Sequence, residues 1–232
     1  MIKIKDLKVG YNQEILQLSK LEISQDIYFV VGKNGAGKST FLKTISGQIP
    51  SISGEIQIDG MNINGIANDE LPKIISFVSP KMTDVDYVTV TDFIALGRSP
   101  YTNYFGKIKE IDHEIINQSA KLIGVTHLLN RYTSDLSDGE KQLVAIAKVI
   151  AQETPYIILD EPTAFLDYKN KTNVIEKLMH ASKKLGKTIL IASHDVELCI
   201  EQNVPFIVVN HGEVNLFSAG ITKQELIKLA YD

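Results

Sequence analysis

Apolar and polar positions follow two periods along this chain. Near the N-terminus Ile2 and Ile4 alternate with Lys3 and Lys5, and Leu7 and Val9 continue the apolar side. This is the signature of a half-buried strand. Gly10, Tyr11 and Asn12 interrupt it, and residues 15–23 read as a second strand or hairpin arm. Residues 27–31 form an unbroken apolar run, Ile-Tyr-Phe-Val-Val, as do residues 74–78, 156–159 and 188–193 with few exceptions. Runs of this length suit strands covered on both faces. Residues 55–60 alternate again and close on Asp59-Gly60, a tight-turn pair. Residues 206–209 and 212–216 read as a hairpin turning through Asn210, His211 and Gly212.

Helical spacing takes over elsewhere. Residues 40–47 carry Phe41, Leu42 and Ile45. Residues 89–96 have Thr89 or Thr91 as a cap and Asp92 in the first turn, with Gly97 as the stop. In residues 108–123 Ile111, Ile115, Ile116, Ala120 and Ile123 recur on one face. Residues 125–129 predict a short helical piece. Residues 138–152 predict a longer helix, with Leu143, Ala147 and Ile150 inward and Pro155 beyond its end. Further helices are expected over 170–185, ended by Gly186, over 196–201, and over 222–230, where Thr222 and Glu225 form a capping box. Residues 98–106 are expected to be irregular. No convincing strand falls between about 85 and 135. The pattern therefore predicts one α/β domain over 1–232. Antiparallel strands open it, a core occupies about 1–84 and 136–232, and a helical subdomain of about 85–135 is inserted.

Composition narrows the class. A chain of 232 residues with 44% hydrophobic and 22% charged residues buries a sizeable core without staples. Its 24 basic and 28 acidic residues give a formal charge of −4, which offers no argument for nucleic acid as a partner. Cys199 is the single cysteine, so no intrachain disulfide forms, and it reads as a small core residue. The first residues, alternating and charged, are not a secretion signal. No apolar run approaches the roughly 18 residues that span a bilayer. A soluble chain is expected, with membrane association through a partner.

The candidate chemistry begins at residues 32–40, Gly-Lys-Asn-Gly-Ala-Gly-Lys-Ser-Thr, a full match to the phosphate-binding pattern G-x-x-x-x-G-K-S/T. It lies between a predicted strand and a predicted helix, as the pattern requires. The backbone N–H groups of Asn34, Gly35, Ala36 and Gly37 can cradle phosphate oxygens, and Thr40 opens the helix body. Lys38 would neutralise the β- and γ-phosphates, and Ser39 would hold Mg²⁺. Asp160, at the end of the 156–159 strand, is the expected indirect Mg²⁺ holder. Glu161 is placed to orient an attacking water, which favours hydrolysis over transfer. His194 ends the 188–193 strand, at the sheet edge where ligands lie. His113, His127, His180 and His211 have no metal-ligand spacing and read as surface or packing residues. Leu136-Ser137-Asp138-Gly139-Glu140-Lys141-Gln142 opens a long helix with Ser137 and the Gly139 N–H as anion donors. A second anion site in a chain that already has one makes sense if it closes over the nucleotide of another subunit.

Over its whole length the chain resembles the ATP-binding subunits of ABC transporters. Residues 32–40 match the Walker A loop, residues 136–142 the family signature, and residues 156–161 Walker B with its glutamate. Residues 163–167 are similar to the D-loop, and His194 to the switch histidine. The resemblance implies a P-loop NTPase core with a mixed central sheet, an N-terminal antiparallel β subdomain and a helical insert. It implies ATP and Mg²⁺ as cofactors and hydrolysis of ATP to ADP and phosphate. Catalysis would rest on Glu161, His194 and Lys38, and Mg²⁺ on Ser39 and Asp160. Nucleotide binding would extend to Tyr11 on adenine, to Ser137, Gly139 and Glu140, and to Asp167 across a dimer interface. The implied partners are a second copy in a head-to-tail ATP sandwich, integral membrane permease subunits and, indirectly, a substrate-binding protein. The implied location is the cytoplasmic face of the cell membrane.

Two departures from the family pattern matter, and Lys33 is a further difference. Where a glutamine is expected beyond Val78, the chain reads Ser79-Pro80-Lys81; Ser79 or a water would substitute. Asp138 replaces a signature glycine and, in the first turn of a helix, has a capping role available. Lys33 stands where proline is frequent and is expected to face solvent. Residues 95–101 with Phe105 and Gly106 resemble the ATPases of importers for iron–siderophore complexes, haem or cobalamin. An exporter or other importer ATPase, a soluble ABC-type ATPase and a regulatory nucleotide binder remain as alternatives.

Overall fold

The computed structural model describes residues 1–81, 87–103 and 106–231. Strand β1 (Ile2–Gly10) pairs antiparallel with β2 (Glu14–Ile23), and β3 (Ile27–Val31) follows. Helix α1 is Lys38–Ile45. Strand β4 (Ser53–Ile58) lies antiparallel to β1 on its other side and turns into the two-residue β5 (Met61–Asn62). That turn is Asp59-Gly60, both with positive φ (50° and 84°), as a two-residue hairpin loop demands. Helix α2 (Leu71–Ile74) leads into β6 (Ile75–Val78). Then come α3 (Val90–Ala95), α4 (Glu110–Ile123) and α5 (Asp138–Ala151), joined by 3-10 turns. The chain closes with β7 (Tyr156–Asp160), α6 (Tyr168–Leu185), β8 (Thr188–Ala192), α7 (Val196–Glu201), β9 (Phe206–Asn210), β10 (Glu213–Phe217) and α8 (Lys223–Tyr231).

Among the described residues ten strands form one mixed sheet of order β5-β4-β1-β2-β10-β9-β3-β8-β7-β6. The stretch β9-β3-β8-β7-β6 is parallel, and the β5-β4-β1-β2 end is antiparallel. The period of two sorts the parallel strands between two cores. Phe29, Val31, Ile157, Leu159, Ile189 and Ile191 face a core shared with α3 to α8. Tyr28, Val30, Tyr156, Ile158, Leu190 and Ala192 face the core shared with α1 and the first two strands. This is a P-loop ATPase core with an antiparallel β subdomain and a helical insert. Among the described residues, no helix is long and apolar enough to cross a membrane.

Two expectations need correction, and one region carried no reading. Gly97 does not end the helix before it. A 3-10 helix runs on over Leu96–Tyr101, so residues 98–101 are ordered rather than irregular. Gly97 is there for close packing: a Cβ on it would sit 2.3 Å from the carbonyl oxygen of Lys148 in α5. The short pieces β5, α2 and the 3-10 turn Ile63–Gly65 are too brief to show a period. Tyr104, Phe105 and the subdomain boundary expected near residue 84 lie outside the described residues.

The insert is pinned by Arg98, which is buried. Its Nε donates to Asp112 Oδ1 at 2.8 Å, and its Nη1 donates to the Ala151 carbonyl at 2.7 Å and to Glu153 Oε2 at 2.9 Å. The guanidinium lies 4.3 Å from the Tyr101 ring centre. One cation thus joins the first turn of α4 to the last turn of α5, where the helix dipole favours positive charge. Burial opposes ionisation of Asp112, but the Lys109 N–H and Arg98 outweigh it and hold the carboxyl below its usual range. Asp112→Ala leaves a buried guanidinium without its buried anion and with only the exposed Glu153 carboxylate beside it, and chemical denaturation is expected to show a loss of about 3–5 kcal/mol. Because the folded value is depressed, the stabilisation is present above the ordinary aspartate pKa of about 3.9 and disappears as pH falls through the lower folded value. A loss below about 1 kcal/mol contradicts a pinning role.

Candidate functional site

Parallel register brings the chemistry to one edge. Val30 pairs with Ala192, and Ala192 with Asp160. The loop after β3, the end of β7 and the residues after β8 therefore leave the sheet together, at the carboxyl ends where α/β proteins bind ligands. The loop's shape is fixed from both sides. A Cβ on Gly32 would lie 2.2 Å from the Val209 carbonyl, and Gly37, at φ 103°, initiates α1 in a left-handed conformation against Leu16 and Ile15. No side chain caps α1. The N–H groups of its first turn, Lys38 to Thr40, thus point into the loop with the positive helix end behind them. Asn34 and Gly35 are exposed, and Ala36, Gly37, Ser39 and Thr40 half-buried.

Lys38 is buried and arches back over the loop. Its Nζ donates to the Gly32 carbonyl at 2.8 Å and the Lys33 carbonyl at 3.2 Å. Burial pulls its pKa down, with Glu161 and Asp160 opposing. Asp160 is the more strained charge. It follows Tyr156 and Ile158 on the face that carries α1, it is 1% exposed, and among the described residues neither carboxylate oxygen has a hydrogen-bond partner. Burial pushes its pKa up, against the pull of the Ser39 hydroxyl, Lys43 and Lys38. A buried, unsatisfied carboxylate beside a hydroxyl suits a hard cation that keeps its remaining bonds for phosphate oxygens and water. Ser39 and Asp160 fit Mg²⁺ on that ground.

Glu161 takes a left-handed backbone turn (φ 51°) while its N–H still donates to the Ala192 carbonyl at 3.1 Å. Such a conformation is uncommon for a residue with a side chain. Here it carries the carboxylate across the edge to His194, whose Nδ1 is 2.8 Å from Glu161 Oε2. With the carboxylate ionised, Nδ1–H is the donor, and Nε2 remains for another partner. Tyr231, which carried no signal in the sequence, donates from the end of α8 to the His194 carbonyl at 3.4 Å.

The start of α5 is a capping box. Ser137 Oγ accepts from the Glu140 N–H at 3.3 Å, and Glu140 Oε2 accepts from the Ser137 N–H and hydroxyl, both at 2.8 Å. These bonds, with help from Arg131 and His127 and against burial, keep the Glu140 carboxyl below its usual range. The Ser137 hydroxyl therefore already has a partner within its own turn, and the cap is Ser137 rather than Asp138. Asp138 is exposed. Gly139 packs on the 163–167 segment, where a Cβ would be 3.2 Å from the Phe165 carbonyl.

The sequence pattern of the ABC transporter family matches residues 18–164. This chain belongs to the ABC transporter family. An uncharacterised ABC transporter ATP-binding protein of Methanocaldococcus jannaschii is 34% identical over 236 residues, covering 100% of this chain and 81% of that protein. The ferric enterobactin transport ATP-binding protein FepC of Escherichia coli is 31% identical over 231 residues, covering 98% and 85%. A solved ATP-binding cassette, a dimer in a post-hydrolysis state bound to ADP and Pi, matches with a TM-score of 0.80 at 26% identity. That match covers 94% of this chain and 98% of that one. The chain is an ABC-type ATPase that binds and hydrolyses ATP.

Within this ABC ATPase the loop, Asp160, Glu161 and His194 converge. The other expected site residues stand apart. Tyr11 is exposed in the turn between β1 and β2. Asp167 is exposed and caps α6, accepting from the Asn170 N–H at 2.8 Å. Lys33 faces solvent. Ser79 follows β6 directly and is exposed, and since Val78 pairs with Leu159, it falls level with Asp160.

Asp160→Asn removes the buried charge. In the nucleotide-free protein thermal unfolding is expected to rise, by about 1 kcal/mol in stability, while the added stabilisation from Mg²⁺ with ATP is lost. The folded pKa of Asp160 is raised, so its ionisation costs stability at neutral pH. The gap between the two proteins should close as pH falls from that raised value toward about 3.9. An Asn variant less stable than the parent at neutral pH contradicts the account.

Proposed function

We propose that the chain is the ATP-hydrolysing subunit of an importer for an iron chelate, haem or cobalamin-type substrate. Two copies would act head to tail beneath membrane permease subunits, at the cytoplasmic face, with a binding protein delivering the cargo. The observation that carries the catalytic half of this reading is the 2.8 Å contact between Glu161 and His194 at the edge shared with the phosphate loop. The importer half rests on the resemblance to the ferric enterobactin protein and on Arg98-Ser99-Pro100-Tyr101, which here forms an ordered 3-10 segment. The core is about 1–84 and 136–232, and the helical subdomain about 85–135.

The proposed roles are these. Tyr11 stacks on adenine. The N–H groups of residues 34–40 and the Lys38 ammonium hold the phosphates, for which Lys38 exchanges its bonds to the Gly32 and Lys33 carbonyls. Ser39 and Asp160 would hold Mg²⁺, which would supply positive charge against the phosphates. Glu161 orients the attacking water and accepts its proton on the carboxylate. His194 keeps that carboxylate in place through Nδ1 and presents its other ring nitrogen to the γ-phosphate. Ser137 and the Gly139 N–H of the second copy complete the γ-phosphate shell, with Glu140 beside them and Asp167 at the interface. ATP then favours the closed dimer, and hydrolysis removes that preference, a population shift that drives the permease.

Replacing Glu161 with Gln keeps the side chain's shape and removes its basicity. Phosphate release is expected to fall by about 10²–10⁴-fold with ATP affinity preserved, and light scattering should show a stable dimer in ATP. Turnover at the parent rate would exclude Glu161 as the base.

A further inference from the structure

Two exposed side chains of opposite charge lie on the two halves of the proposed ATP site. Lys33 is the second residue of the phosphate loop. Its carbonyl accepts from the Ala36 N–H at 3.1 Å and from Lys38 Nζ at 3.2 Å, which fixes its backbone and leaves the side chain facing solvent. Asp138 is the first residue of α5, also exposed. Among the described residues, neither side chain has a hydrogen-bond or ion-pair partner. Asp138 is redundant as a cap, because Glu140 already accepts both the N–H and the hydroxyl of Ser137. Its charge therefore adds to a turn that must approach a triphosphate, where an uncompensated carboxylate is repelled.

We propose that Lys33 of one copy pairs with Asp138 of the partner subunit across the ATP-bound dimer, so that these two differences from the family pattern compensate each other. The inference rests on the head-to-tail arrangement. In that arrangement the phosphate loop of one copy faces the start of α5 of the other, and two such pairs form per dimer. Complementary charges at facing positions favour the correct register, and like charges there oppose it. Lys33 places its positive charge where the partner's carboxylate arrives, which lets Asp138 enter the site without repelling the nucleotide.

The test is a charge exchange in the Glu161→Gln background, with dimerisation in ATP and Mg²⁺ followed by sedimentation. Lys33→Glu and Asp138→Lys should each raise the dimer dissociation constant by at least about tenfold, and the two together should return it to within about threefold of the parent. A combined effect equal to the product of the single effects overturns the pair. So does an equal loss of ATP affinity in Lys33→Glu at protein concentrations too low for dimers, since Lys33 would then be a phosphate ligand. If the Glu161→Gln parent itself stays monomeric in ATP, the head-to-tail reading fails, and the pair with it.

Discussion

The parallel register of β3, β8 and β7 is the constraint on which the site depends. Val30, Ala192 and Asp160 lie side by side, so three separate segments leave the sheet at one level. A slip of one residue in β7 would turn Asp160 to the other face, toward the core of α5 and α6 and away from α1 and Ser39. The register is held by apolar packing on both faces, since Ile157 and Leu159 fill one core while Tyr156 and Ile158 fill the other. The candidate edge is thus specified by residues buried in the two cores.

On this scaffold the site retains unfavourable local features. Asp160 is buried with no partner among the described residues, Lys38 is buried against loop carbonyls, and Glu161 holds a left-handed backbone. Each costs stability in the isolated chain, and such features concentrate where function uses them. In the proposed function a triphosphate with its cation would relieve the first two together, the metal satisfying the carboxylate and the phosphates giving the ammonium an anion in place of dipoles. Binding energy would then be spent on charges the fold has already placed.

Much of this was legible in the sequence. The phosphate loop and its flanking strand and helix follow from spacing alone, and the alternation in residues 2–9 and 55–60 marks the antiparallel end. Thr89, Ser137 and Thr222 announce helix starts. Other features depend on tertiary contact and leave no local mark. Gly97 reads as a helix stop but serves close packing on Lys148. Arg98 reads as part of a polar segment, while its partners lie 14, 53 and 55 residues away. The left-handed turn at Glu161 accompanies its bond to Ala192 on the neighbouring strand, and Tyr231 reaches His194 only because α8 folds back. Short pieces such as Leu71–Ile74 hold too few residues to express a period.

The central claim is that the phosphate loop is half a site, completed by Ser137 and Gly139 of a second copy. The most direct measurement is a crystal structure of the Glu161→Gln chain with ATP and Mg²⁺. The account predicts each γ-phosphate held between Lys38 of one copy and Ser137 of the other, at hydrogen-bond distance from both. A nucleotide enclosed by one copy alone, with Ser137 still bonded to its own Glu140 and facing solvent, would contradict it.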